Sequence, residues 1–253
     1  MRVVVTRPEN EAPRWVDALR ERGFDALSLP LIRIVPAPDL SAIETAWANL
    51  DEYRAAMFVS GNAVRHFFAA RPGTRWPATV RAWATGPGTR QALLDAGVPD
   101  ALVDVPASET SQFDSEALWN QVAGQVTQGD RVLVVRGSDA ATGTNGRDWL
   151  ADQVGRAGAQ AGSVIAYLRM APQWSAKEYA EVDQLAGDAV WLFSSSQAIA
   201  NLKLLLPRRE WTPAKAVATH PRIAQAARDA GFAVVCESRP TMDAVASALE
   251  SFR

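Results

Sequence analysis

The sequence predicts an α/β protein of two similar lobes, each a parallel sheet flanked by helices. Three observations predict it. Short β-branched runs alternate with longer stretches of helical periodicity, which is the rhythm of βα units and parallel sheets. The stretch "ATGPGTRQALLDAG" (84–97) returns as "ATHPRIAQAARDAG" (218–231), with eight of fourteen positions identical at an offset of 134. Two more stretches echo in the same order: "RVVVTR" (2–7) in "RVLVVR" (131–136), and "MFVSGNAV" (57–64) in "LFSSSQAI" (192–199), at offsets of 129 and 135. Two laps of three units are a duplication, since a solenoid needs more and shorter repeats.

Taken in order, "RVVVTRP" (2–8) is a β-branched strand stopped by a proline. "APRWVDALRERGF" follows with Trp15, Val16, Leu19 and Phe24 at roughly helical spacing, and Gly23 suits the residue just past a helix end. "DALSLPLIRI" is the next extended piece. "AAMFVSGNAVRHFF" (55–68) runs from strand to helix through Ser60, Gly61 and Asn62, all good N-cap types. "RAWATGPGTRQALLDAG" does the same. "DRVLVVRGSDA" (130–140) is a buried-type strand, followed by a Gly-rich loop, the helix "RDWLADQVGRAG" and the strand "SVIAYLRM". "AVWLFSSSQAIANLKLLL" (189–206) and "AVATHPRIAQAARDAGFAVVCES" complete the series. Taken alone, the duplication suggests tandem halves split near residue 129. It leaves open a swapped arrangement, in which the first unit joins the lobe built by the last two.

The composition narrows the chemistry. A chain of 253 residues with 48% hydrophobic content can bury a sizeable core in one large domain or two ordinary ones. The net charge of −2 offers no positive field for nucleic acid. Of 26 basic residues only Lys177, Lys203 and Lys215 are lysine. Most of the arginines sit on expected helix surfaces, although the arginine fork also suits carboxylates and phosphates. Cys236 is the sole cysteine, which excludes an intramolecular disulfide and a multi-cysteine zinc site. The N-terminus reads as a strand and not as a signal peptide, and no apolar run reaches membrane length, so a soluble cytoplasmic protein with no membrane partner is expected.

Ligands of open parallel sheets collect beyond the carboxyl ends of the strands. Here those ends read "TRPE", "SGNA", "TGPGT", "RGSDA", "SSSQ" and "THPR". Most offer Ser, Thr, Gly or Asn just before a helix. Any α/β protein needs such caps, but helix N-termini also expose free N–H groups and the positive end of the dipole. Several of them together suit an anion with several charges. The familiar catalytic sets are missing: no Walker A loop, no HExxH, no GxGxxG with an acidic partner and no GxSxG elbow. Of the two histidines, His66 lies inside a helix between Arg65 and Phe67, where a packing or surface role is expected. A nucleotide-sugar transferase would need a diphosphate site and an Asp pair for a metal, and neither stands in a convincing position.

In this setting "VVVTRP", "FVSGNAV", "ATGPGTRQALLDAG", "VLVVRG", "IAYLR", "WLFSSSQAI" and "ESRPTMDAVASALES" together resemble the uroporphyrinogen-III synthase family. The motifs span nearly the whole chain in the right order. The resemblance implies a cofactor-free and metal-free lyase, a monomer. It cyclises hydroxymethylbilane, a linear tetrapyrrole with eight carboxylates, with loss of water and inversion of ring D. It also implies that residues 1–37 join 172–253 in one lobe and that 40–168 form the other. Extended connectors near 34–39 and 168–173 would join the lobes, with a cleft between them. Pro36, Pro38 and Pro172 suit stiff connectors.

The reaction is an orientation problem. The substrate loses hydroxide to an azafulvene that closes unaided to the symmetric isomer, so the enzyme must steer it through a spiro intermediate. Tyr167 in "IAYLR" matches the family's interdomain tyrosine, and its phenol would serve as general acid to the departing hydroxyl. Thr89 matches a family hydroxyl, Ser60 and Ser194 match the serines after the two related strands, and Arg7 fits the family's "TRP". Each of these is a candidate for binding substrate. Where the family tends toward Gly-Pro-Thr-Thr, this chain has His220-Pro221-Arg222-Ile223, which loses a hydroxyl pair and leaves Arg222 as a weaker candidate for a carboxylate. The competing reading from another class is a non-catalytic two-lobed sensor or binding protein for a polyanionic small molecule.

Overall fold

In a computed structural model, which describes residues 1–71, 73, 75–107, 114–139, 149–185 and 189–252, the chain divides into two compact units. Unit 1 comprises Met1–Arg33 and Met170–Arg253, and unit 2 comprises Ile34–Arg169. The chain starts in unit 1 with β1 (Arg2–Val5), α1 (Ala12–Glu21) and β2 (Asp25–Ser28). It builds unit 2 from β3 (Arg33–Pro36), α2 (Ser41–Ala48), β4 (Ala55–Phe58), α3 (Gly61–Ala69), β5 (Arg81–Ala84), α4 (Pro87–Asp95), β6 (Val103–Asp104), α5 (Ser115–Val122), β7 (Arg131–Asp139), α6 (Trp149–Arg156) and β8 (Gln160–Met170). It then returns to unit 1 with α7 (Ala176–Leu185), β9 (Ala189–Phe193), α8 (Ser196–Leu205), β10 (Lys215–Ala218), α9 (Pro221–Asp229), β11 (Val234–Glu237) and α10 (Met242–Glu250).

The sheet of unit 1 has the order β11-β10-β9-β1-β2, and all four of its pairings are parallel. That of unit 2 has the order β3-β8-β7-β4-β5-β6, with β8-β7-β4-β5-β6 parallel throughout. Parallel strands need crossovers, and the helices supply them while covering both faces. The strand of the first lap, β1, therefore lies beside the second-lap strand β9. Strand β7 of the second lap lies beside the first-lap strand β4.

Residues alternate faces along each strand, so one strand feeds two cores. In β4, Ala56 and Phe58 join Phe67 and Leu133 on one face, while Ala55 and Met57 join Trp83 and Leu118 on the other. The first core holds an aromatic group in which Trp47 stacks on Phe67 at 4.7 Å and donates its indole N–H to the Phe67 carbonyl at 2.9 Å. A ring pair of this kind contributes about 1 kcal/mol beyond its burial. In unit 1, Val3, Val5, Val190 and Leu192 pack with Leu19 and Leu249. Trp191 and Phe193 meet Phe232 and, for Trp191, Trp211.

One sequence expectation changes in three dimensions. The extended piece "DALSLPLIRI" is not one strand: β2 ends at Ser28 and β3 starts at Arg33, in different sheets. Pro30 has no N–H for a ladder, while Leu29 and Leu31 donate theirs to the Val5 and Thr6 carbonyls as the chain leaves β2. The Gly-rich stretch expected after β7, and the first residues of the helix expected from Arg147, lie outside the described residues. Gly23 behaves as read, following α1 with φ of 81°, and Gly97 and Gly231 follow α4 and α9 in the same way with φ of 89° and 101°.

Candidate active site

The carboxyl ends of β4, β5, β7 and β8 gather the unit 2 candidates. Ser60 is the extended N-cap of α3, and its Oγ accepts from the Ala63 N–H at 3.2 Å, which satisfies one of the free donors of the first turn. The same Oγ lies 3.1 Å from the Tyr167 hydroxyl, and either can be the donor. Ser60 and Tyr167, 107 residues apart in sequence, are thus one hydrogen-bonded pair.

Tyr167 reaches this position through an irregularity in β8. Arg136 pairs with Ile165 but Gly137 pairs with Tyr167, so the strand carries one extra residue there. Such a bulge re-aims the side chains that follow it. Ala166 and Tyr167, neighbours in sequence, consequently both belong to the core that holds Phe58 and Phe67. Tyr167 is buried, 3% exposed, and the His66 ring stacks near it at 5.8 Å with an interplanar angle of 24°. His66 thus packs against the candidate acid. Burial, and then the Arg65 charge, hold its imidazole below its ordinary pKa.

Thr89 is buried in the first turn of α4, and its backbone N–H bonds to the carbonyl of the cap residue Gly86 at 3.1 Å. The N-termini of α3 and α4 approach closely: a Cβ on Gly61 would stand 3.6 Å from the Ala92 Cβ and 3.7 Å from the Gly88 carbonyl. The Thr85 hydroxyl donates to the Val59 carbonyl at 3.2 Å and ties the two strand ends. The two helix starts therefore lie close together, and helix N-termini as a class are suited to carboxylates.

Unit 1 holds the other three candidates. Arg7 turns back onto its own helix: its guanidinium bonds to Glu11 at 3.2 Å and lies 4.0 Å over the Trp15 ring. Burial pushes it below its ordinary pKa, with Glu11 opposing. The strand end is instead tied by Thr6, whose hydroxyl donates to the Leu192 carbonyl at 2.7 Å. Ser194 is half-buried and does not cap α8. Ser195 does, accepting from the Gln197 N–H at 3.2 Å. The offset of 135 that aligns the two strand-to-helix stretches places Ser195, and not Ser194, against Ser60, so the repeat itself is the signal that points to Ser195. Arg222 is exposed, and its backbone N–H bonds to His220 Nδ1 at 3.1 Å, which makes His220 the cap of α9. An accepting Nδ1 assigns the neutral ring proton to Nε2. The structure thus brings Ser60 and Tyr167 together, while the Arg7 guanidinium bonds to Glu11 and Arg222 bonds to His220 through its backbone N–H.

Among the described residues no group of three or more His, Cys, Asp or Glu is placed to hold a metal, and no helix is long and apolar enough to cross a membrane. The described residues bring a buried phenol, hydroxyls and helix N-termini to the strand ends of unit 2.

Comparisons with known proteins bear on these features. The family model HEM4, uroporphyrinogen-III synthase HemD, matches residues 13–247. The "Porphyrin biosynthesis protein HemD" of Ruminiclostridium josui is 26% identical over 138 residues, 53% of this chain and 26% of that protein. The chain therefore spans about a quarter of the length of that curated relative. Uroporphyrinogen-III synthetase of Helicobacter pylori superposes with a TM-score of 0.61 at 16% identity, covering 100% of both chains. A mutant uroporphyrinogen III synthase of Thermus thermophilus gives 0.57 at 16% identity, covering 100% of this chain and 97% of the other. At such identities the likeness is one of fold.

Proposed function

The chain belongs to the uroporphyrinogen-III synthase family, and from that premise we propose that it cyclises hydroxymethylbilane to uroporphyrinogen III with loss of water. Tyr167 donates its one hydroxyl hydrogen to the hydroxyl as it leaves the substrate, and Ser60 orients the phenol by donating its own O–H to the phenol oxygen. A buried phenol serves this role because water does not compete for its donor. The substrate carboxylates bind at the paired N-termini of α3 and α4, with Thr89 as a hydroxyl contact, and in unit 1 at Ser194, Arg7 and Arg222. Rate enhancement then comes mainly from holding the azafulvene carbon against the substituted carbon of ring D. In this reading the enzyme is a monomer, acts in the cytoplasm and needs no cofactor or metal. Residues 1–37 with 172–253 form one lobe and 40–168 the other, with connectors near 34–39 and 168–173. The unit boundaries at Arg33/Ile34 and Arg169/Met170 support that division.

The single observation that carries the reading is the pairing of the buried Tyr167 with the half-buried Ser60 at the head of α3. The family match disfavours the non-catalytic binding protein, which has no use for a positioned acid. A coupled assay from porphobilinogen, with product isomers resolved, tests the proposal. The expected result is a shift from the type I to the type III isomer. An unchanged isomer ratio with folded protein sinks it.

A further inference from the structure

The seat of the Tyr167 ring is built from an absence. A Cβ placed on Gly137 would collide with Tyr167 Cζ and would lie 2.5 and 2.7 Å from the ring atoms Cε2 and Cε1. Real side chains do not approach this closely, so any residue larger than glycine would push the phenol end of the ring out. The backbone conformation does not demand glycine here, because Gly137 is not among the glycines with positive φ. The demand is steric, and the three atoms nearest to such a Cβ all belong to Tyr167. It also comes at the functional end of that side chain, since Cζ carries the hydroxyl that meets Ser60 at 3.1 Å.

The duplication supplies an internal control. At the offset of 129 that aligns "RVVVTR" with "RVLVVR", Gly137 corresponds to Pro8, which has a full side chain. Unit 1 places no tyrosine there: the chain after β2 continues through Leu29, Pro30 and Leu31, and Leu31 donates its N–H to Thr6. The bare residue and the aromatic ring thus occur together in one unit and are both missing from the other.

We infer that Gly137 is a positioning residue for the reaction: its bare Cα, opposite the bulge in β8, is the surface on which the Tyr167 ring lies so that its hydroxyl meets Ser60. The inference rests on the role proposed above for Tyr167 only for its catalytic consequence. The seat itself is a steric claim.

The test compares Gly137→Ala in three backgrounds: wild type, Tyr167→Phe, which keeps the ring but removes the hydroxyl, and Tyr167→Ala, which removes the ring. Displacing a reacting group by about an ångström costs on the order of 10²-fold, so kcat for type III product should fall by about that factor in Gly137→Ala with KM little changed. In the Tyr167→Phe background the two losses should not add. Thermal melts give a readout free of activity: Gly137→Ala should lower Tm where a ring is present and leave it unchanged in the Tyr167→Ala background. If Gly137→Ala alone does not fold, recovery of folding in the Tyr167→Ala background supports the seat, and failure in both overturns it. Equal kcat losses with and without the hydroxyl, or a Tm loss that persists without the ring, overturn the inference. If wild type itself leaves the isomer ratio unchanged, the proposed function falls, and the melts alone decide the seat.

Discussion

The two strand-to-helix junctions that the duplication made alike have diverged in one respect. In unit 2, the Ser60 cap of α3 also holds the hydroxyl of Tyr167. In unit 1, the Ser195 cap of α8 accepts from its own helix and, among the described residues, makes no bond to a tyrosine. The neighbouring strand differs to match. Unit 1 has Thr6 and Pro8 at the positions where unit 2 has Val135 and Gly137. Thr6 uses its hydroxyl to bind the Leu192 carbonyl, whereas the valine in unit 2 packs in the core and the glycine admits a ring. At these matched positions unit 1 thus ties two strands through a hydroxyl, and unit 2 seats the Tyr167 ring. Capping is common to both, and the chemistry proposed for Tyr167 belongs to unit 2.

The strongest way to break this contrast is to remove the hydroxyl that distinguishes unit 2. Tyr167→Phe should lower kcat for type III product by about 10²-fold, the scale of a positioned general acid, with the fold retained. Full turnover in a folded variant would leave the two junctions equivalent and take Tyr167 out of the mechanism.

A sharper form sets the two caps against each other. Ser60→Ala and Ser195→Ala should each cost about 1 kcal/mol in urea unfolding, because each strands one first-turn N–H. Only Ser60→Ala should also lower kcat, since only its hydroxyl meets the phenol. Equal kinetic losses would assign both effects to helix stability.

Thr6→Val converts unit 1 to the residue that unit 2 carries at the same point. It exchanges a buried hydroxyl for a methyl and leaves the Leu192 carbonyl without that bond, at a cost of about 1 kcal/mol by chemical denaturation. Activity should be unaffected apart from that loss of stability. A neutral result would mean that the 2.7 Å bond does not hold β1 to β9.

The smallest effect concerns pH. His66, stacked near Tyr167, has a lowered pKa in the folded protein, with burial as the main cause and Arg65 adding to it. As pH falls, the unfolded chain therefore takes up the proton first. The stabilisation is present above the ordinary histidine pKa of about 6.5 and is lost as pH falls from there through the folded value. Melting temperatures of wild type and His66→Gln should differ in slope across that window and run parallel above it. Parallel curves throughout would show that the ring is not shielded by its packing.

Much of the fold was legible because local rules and tertiary demands agreed. The β-branched runs became buried strands, the glycines at 23, 97 and 231 took the left-handed turn after their helices, and Ser60 capped the helix whose start it marks in the sequence. Other features carry a signal of the same kind. Asp114 and Thr241 cap α5 and α10 with side chains suited to the task, and the repeat offset points to Ser195. His220 as a cap is harder to see, because the usual cap residues are small and carry oxygen, and an imidazole nitrogen does the same work here.

By itself the sequence determined that strands and helices alternate, where most helices begin and end, and that a pair of related βα series was present. These follow from interactions within one or two turns of chain. Only the tertiary structure decided that β1 lies beside β9 while β7 lies beside β4, that "DALSLPLIRI" parts into two sheets, and that Tyr167 meets Ser60 across Gly137. Such choices depend on which distant strand completes a sheet and on a single extra residue in β8. Their energies arise from groups far apart in the chain, 186 positions in the Thr6–Leu192 bond, and local pattern carries no record of a contact at that range.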